Sequence, residues 1–184
     1  MQEYSDKELL DKFKNSDLAG RNFAFNLIVR KYQKKLYWHI RKILIDHDDS
    51  NDVIQNVFIK VWKNLDGFKE DSQLYTWLYR IATNESLTFL KQQKRKNFIP
   101  FGDVEYSLSN SLHSDSYIKG EEIQLKLQNA ILTLPTKQRI VFNMKYFDNI
   151  KYEEMSKILD TSVGSLKASY HHAVKKIEHI IKNE

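Results

Sequence analysis

Apolar residues recur at helical spacing through most of this 184-residue chain, and one long stretch breaks the period, from Asn97 to about Gly120. A strand would need apolar and polar residues to alternate, and no long alternating run is present. Five Gly and two Pro supply few turn signals. The expected fold class is all-α, with two helical domains joined by a flexible linker. The boundaries read as 1–96, 97–120 and 121–184, and the C-terminal unit is a helix-turn-helix four-helix domain.

In the first block, Phe23, Leu27, Ile28, Leu36, Ile40, Ile43 and Leu44 suggest one long helix or two consecutive ones. A polar break from Asp46 to Asn51 precedes a strongly amphipathic helix, where Val53, Ile54, Val57, Phe58, Val61, Trp62 and Leu65 form one stripe. Asp66-Gly67 closes it, with Gly67 free to take a left-handed conformation. After the loop Phe68 to Gln73, another helix carries Leu74, Trp77, Leu78, Ile81, Ala82 and Phe89 inward. The non-periodic stretch holds five serines among Asp103, Glu105 and Asp115, a composition suited to a linker. Beyond it, Ile123, Leu127, Ala130, Ile131 and Leu134 make one helix, and Pro135 opens the next with Ile140, Val141, Met144 and Phe147.

The last forty residues read as a helix-turn-helix. Its first helix runs from Ile150 to Leu159, with Tyr152, Met155, Ile158 and Leu159 on one face. Asp160-Thr161-Ser162 is the turn, and Thr161 or Ser162 can cap the second helix. There Val163, Leu166, Tyr170, Ala173, Val174, Ile177 and Ile181 are the apolar stripe. The opposite face carries Ser165, Lys167, Ala168, Ser169, His171, His172, Lys175 and Lys176, with no carboxylate before Glu178. Small residues let a backbone approach a major groove, while cations and hydroxyls reach phosphates and base edges. A second surface lies on the helix after the loop, where Thr76, Arg80, Asn84, Thr88, Lys91 and Arg95 share one flank and Lys94 and Lys96 extend it. Tyr75, Trp77 and Tyr79 stand close by. Cations beside aromatics suit single-stranded DNA, whose bases stack on rings while its phosphates meet ammonium and guanidinium groups.

A formal net charge of +5 favours a polyanionic partner. Zero Cys rules out disulfides and thiolate metal sites and suits the cytoplasm. No apolar run is long enough for membrane insertion, and the N-terminus is not a secretory signal. Enzymatic chemistry has no obvious seat, because a Gly-rich phosphate loop, a thiol nucleophile and a Ser/His/acid grouping are all missing. His171 and His172 diverge around the helix, so they and His179 read as surface histidines rather than metal ligands. Neither cofactor nor metal is expected.

Four segments resemble the bacterial RNA polymerase sigma factors of the extracytoplasmic-function (ECF) type, in that family's order and spacing. They are Asp52-Val-Ile-Gln-Asn-Val-Phe58 with Trp62, then Tyr75-Thr-Trp-Leu-Tyr-Arg-Ile-Ala82 with Asn84. Next come Leu134-Pro135 with Arg139, Val141 and Phe142. The last is Tyr152-Glu-Glu-Met155 with Val163-Gly-Ser-Leu-Lys167 and Ala173-Val-Lys-Lys-Ile177. The resemblance implies a non-enzymatic initiation factor that binds core RNA polymerase, directs it to promoter DNA and assists melting. It assigns Asp52, Gln55 and Asn56 to the clamp helices of the largest subunit, although family members usually carry an acid where Asn56 stands. Lys69 and Ser72 fall in the loop that captures a flipped minus-ten base. Tyr75, Arg80, Asn84, Thr88 and Lys91 fall on the helix that follows the non-template strand. Ser165, Lys167, Ala168, Ser169, His171, His172 and Lys175 fall on the reader of the minus-thirty-five element.

The segment Leu134 to Phe147 resembles the part that holds the polymerase flap, although Val141, Phe142 and Met144 also suit ordinary core packing. The linker corresponds to a segment that threads toward the RNA channel, as a weak RNA mimic or as a solvated tether. An anti-sigma factor is implied by family habit. Where many members have arginines in the recognition helix, this chain has Ser169, His172 and Val174, which predicts weaker or altered base preference. The alternative is a stand-alone helix-turn-helix regulator, which would normally need a sensing or dimerising domain that the first block does not resemble.

Overall fold

The computed structural model describes residues 4–96 and 122–183, and these form eight α-helices. The segment 97–120 and its three acidic residues lie outside the described residues. Helix α1 (Asp6–Asn15) starts from a reciprocal cap: Ser5 accepts from the Glu8 amide at 3.3 Å, and Glu8 accepts from the Ser5 amide at 2.7 Å. Helix α2 (Leu18–Leu44) is one continuous element, capped by Asp17. It ends at Ile45, a β-branched residue held at φ 66° and almost wholly buried.

Helix α3 (His47–Asn64) begins earlier than its apolar stripe suggests. Asp46 accepts from the Asp49 amide at 2.9 Å, so most of the polar run expected as a break is the first turn of the helix. Acidic Asp48 and Asp49 sit there beside unpaired backbone amides, which favours them. A 3-10 turn, Leu65–Gly67, follows. Gly67 does not adopt a left-handed conformation. Glu70 does, at φ 61°, so the chain reverses three residues later than its sequence implies. Helix α4 (Leu74–Lys96) completes the first unit.

The second unit is α5 (Glu122–Leu132), α6 (Thr136–Tyr146), α7 (Tyr152–Leu159) and α8 (Val163–Asn183). Pro135 stands at the α6 N-cap. Asp160, at φ 49°, ends α7. Ser162 rather than Thr161 caps α8, accepting from the Ser165 amide at 3.2 Å, while the Thr161 hydroxyl donates back to Leu159.

Two cores hold the helices. The smaller lies inside the second unit, among Ala130, Ile131, Leu134, Phe142, Ala173 and Ile177. The larger crosses between the units. Leu36, Ile40, Leu78 and Ala82 belong to the same buried cluster as Ile140, Met144, Met155 and Leu166. Helix α6 packs on α2, and α7 packs on α4. Burying one Leu, Ile or Met stabilises by about 1.5–3 kcal/mol, so a seam with several such side chains is a substantial contact. Phe23 and Ile181, both expected in apolar stripes, are instead exposed.

Candidate polymerase and nucleic-acid interfaces

The capped first turn of α3 fixes the helix so that Asp52, Gln55 and Asn56 all face solvent. Beside them runs a groove lined by Phe25, Val29, Ile54, Phe58, Ile59 and Trp62, with Gln55 on its rim. Ile59 is 52% exposed, an apolar side chain off the buried stripe. Sequence reasoning missed this groove. An isoleucine on the polar face of an amphipathic helix was the available signal.

The loop between α3 and α4 is held from outside. The Lys14 ammonium donates to the Phe68 carbonyl at 3.0 Å and to the Glu70 carboxylate at 2.9 Å. Phe68 is buried with its ring 5.0 Å from that of Trp77. Lys69 is therefore presented to solvent and Ser72 half-buried, on a loop with fixed ends. Leu10, Phe68, Asp71, Ser72 and Leu74 line a hollow there, and Lys157 of α7 closes it from the second unit.

Along α4, Arg80, Asn84, Thr88, Lys91 and Arg95 are exposed on one flank, as their spacing requires. Thr76 is not part of it: only 3% exposed, it faces the core. Tyr79 is also buried, with its ring 4.8 Å from His39, so it offers no free stacking face. Burial pushes its phenol well above the usual range. Tyr75 is half-buried, and its hydroxyl donates to Glu154 of α7. Burial and this carboxylate push the Tyr75 phenol up to about 12. The side chains of Lys94 and Lys96 lie outside the described residues.

On α8, Lys167, Ala168, His171, His172 and Lys175 are exposed, and Ser169 is half-buried. Ser165 is exposed, but its hydroxyl engages that of Ser162 at 2.9 Å. The rings of His171 and His172 are 6.0 Å apart. Lys167 reaches over the Tyr152 ring at 5.9 Å. Lys176 donates to the Thr133 carbonyl at 2.6 Å, which ties α8 to the end of α5 and directs this ammonium away from a free phosphate-binding role. In α6, Ile140, Val141, Phe142 and Met144 are all buried. Core packing thus accounts for the residues that also suited a flap contact.

The seam between units is polar at one end. Asp148, just beyond α6, accepts from the Lys42 ammonium, and its other oxygen faces His39 Nδ1 at 3.4 Å. The Asn143 amide donates to the Lys42 carbonyl at 3.2 Å, and Lys42 lies 5.1 Å above the Phe147 ring. Thr83 gives its one hydroxyl proton to the Tyr79 carbonyl, so it accepts from His39 Nε2–H at 2.9 Å. Burial alone would raise the Asp148 carboxyl. His39 and Lys42 outweigh it and hold the group below the usual carboxylate range. Sequence reasoning singled out none of His39, Lys42, Asp148 or Glu154. Among the described residues no acidic, His or Cys cluster could hold a metal ion, and no helix is long and apolar enough to cross a membrane.

Two helical units, one with an exposed cationic reader helix and one with a cationic and amide flank beside a pinned loop, define a DNA-binding factor of two-unit architecture. The comparisons give its family. Sigma-70 region 2 matches residues 28–96, and Sigma-70, region 4 matches residues 124–177. The chain belongs to the sigma-70 family of RNA polymerase sigma factors, as a member of the ECF type. The ECF RNA polymerase sigma-E factor of Escherichia coli strain K12 is 29% identical over 191 residues, covering 98% of this chain and 96% of that protein. The RNA polymerase sigma-H factor of Pseudomonas aeruginosa is 28% identical, covering 94% and 92%.

The same fold occurs in CnrH, solved in complex with the cytosolic domain of CnrY. Its TM-score is 0.70 at 20% identity, over 97% of this chain and 98% of that one. It occurs also in the sigma factor RpoE of Bartonella quintana, solved in complex with the anti-sigma factor NepR. There the TM-score is 0.68 at 19% identity, over 86% and 96%.

Proposed function

We propose that this chain is a cytoplasmic ECF sigma factor that binds core RNA polymerase, directs it to a set of promoters and helps open them, without catalysing a reaction itself. Asp52, Gln55 and Asn56 supply hydrogen-bonding groups for the clamp helices, and the groove around Ile59 supplies the adjoining apolar contact. Lys69 and Ser72 sit where a flipped base enters the pinned loop. Arg80, Asn84, Thr88 and Lys91 carry the phosphates and edges of the minus-ten strand, with Tyr75 as the stacking ring. Lys167 and Lys175 hold phosphates of the minus-thirty-five duplex, while Ser165, Ala168, Ser169, His171 and His172 face its base edges. A protein inhibitor of the anti-sigma kind is a proposed partner, since the RpoE neighbour was solved with one.

The observation that carries this reading is the order of the two family regions along one chain, each with its cationic face exposed. A stand-alone regulator would not need a region 2 unit. The test is co-elution with bacterial core enzyme. The wild-type chain is expected to co-elute, and an Asp52→Lys/Gln55→Ala variant, on an exposed face and hence still folded, is expected to lose the complex. Equal retention of both would remove α3 from the interface, and retention of neither would overturn the reading.

A further inference from the structure

In the free chain, the surface proposed for the promoter strand is not empty. Helix α7, the first helix of the helix-turn-helix, lies on α4, and Glu154 takes the Tyr75 hydroxyl. A turn away, Asp148 takes the Lys42 ammonium. Both groups are carboxylates from the second unit, and both engage donors that a nucleic-acid strand could use. Arg30, Lys34 and Lys35 of α2 line the same cleft, with Trp38, opposite Asp148 and Glu154. These three cations are exposed and have no acidic partner among the described residues. One wall of the cleft is thus basic and aromatic, and the other carries the two acids.

We propose that the second unit is a built-in competitor of the promoter strand: it closes on α2 and α4 with Asp148 and Glu154 standing where phosphates and bases would bind. Strand binding and closure then exclude one another. The buried seam of Ile140, Met144, Met155 and Leu166 holds the closed form, and the two carboxylates set its register. The recognition face of α8 stays exposed in this state, so the closed chain keeps its duplex reader and hides part of its single-strand reader. Opening needs a partner that takes the second unit elsewhere, which core polymerase would do by engaging both units at separate places. The proposal rests on α4 being the strand-binding element.

The chain has no cysteine, so dyes can be placed at Lys63→Cys and Lys182→Cys without background. Energy transfer between them reads closure. Anisotropy of a short labelled single-stranded DNA of mixed sequence reads binding. The double variant Asp148→Asn/Glu154→Ala is expected to lose the closed population. It should also bind the strand about tenfold more tightly, the gain expected when the competent fraction rises from roughly a tenth to nearly all. A Glu153→Gln/Glu178→Gln control removes the same charge from exposed positions and should do neither. Lys42→Asp and Asp148→Lys should each open the chain, and the two together should close it again.

Unchanged energy transfer in the double variant would overturn the proposal. So would opening with no affinity gain beyond the control. Run-off transcription with core enzyme separates the two readings: no transcript from any variant would end the sigma assignment while leaving the closure measurement readable.

Discussion

Asp148 shows how a single side chain can tie two halves of a molecule together. Its carboxyl is held below its ordinary value in the closed chain. A group with a depressed folded value adds stability that is complete above its ordinary value, near 3.8, and is lost as pH falls through the folded value. Tyr75 works at the other end. Its phenol is raised to about 12 from 10.0, so its contribution is complete below 10.0 and lost as pH rises toward 12. Closure read by energy transfer is therefore expected to be flat across neutral pH, loosening only in strong acid and strong alkali. A transition near neutrality would contradict this pairing. At the duplex reader, Lys167→Ala removes one phosphate cation, so the slope of log affinity against log salt should fall in magnitude by about 0.9. An unchanged slope would take Lys167 off the backbone.

Helices were the most legible level, because apolar spacing and caps are local signals. Asp17, Asp46 and Ser162 all cap where a polar residue precedes a periodic run. Ser162→Ala should lower stability by about 1 kcal/mol, measurable as a fall in the thermal midpoint. The flank of α4 and the face of α8 were likewise readable, since exposed cations at helical spacing need no tertiary knowledge. Thr76 and Tyr79 escaped because their burial comes from His39 and the neighbouring helices, which no local pattern records. The pair Lys42–Asp148 escaped for the same reason, with 106 residues between its members. The turn at Glu70 escaped because Glu is a poor sequence signal for positive φ, and Lys14 anchors it from α1. On α8 the absence of arginine has its own consequence. A bidentate Arg–guanine contact discriminates by about 1–3 kcal/mol. Binding-site selection with this chain should return a motif set by shape and phosphate spacing, less sharply G-rich than an arginine-bearing reader would give.

For the whole molecule, magnitudes divide the work between chain and partner. Opening about ten base-pair steps costs on the order of 14 kcal/mol at roughly 1.4 kcal/mol per step. Each base stacked on a side chain returns about 1–3 kcal/mol, and closure of the second unit competes even for that. The isolated chain is expected to leave promoter DNA double-stranded, with permanganate-reactive thymines appearing only when core polymerase is added. Reactive thymines with the chain alone would reverse that division. The most direct measurement is run-off transcription by bacterial core enzyme on a genomic library, with and without this chain. Start sites that appear only with the chain, sharing two upstream elements at fixed spacing, are the predicted result. Start sites identical in its presence and absence would contradict the assignment of the two helical units to promoter recognition.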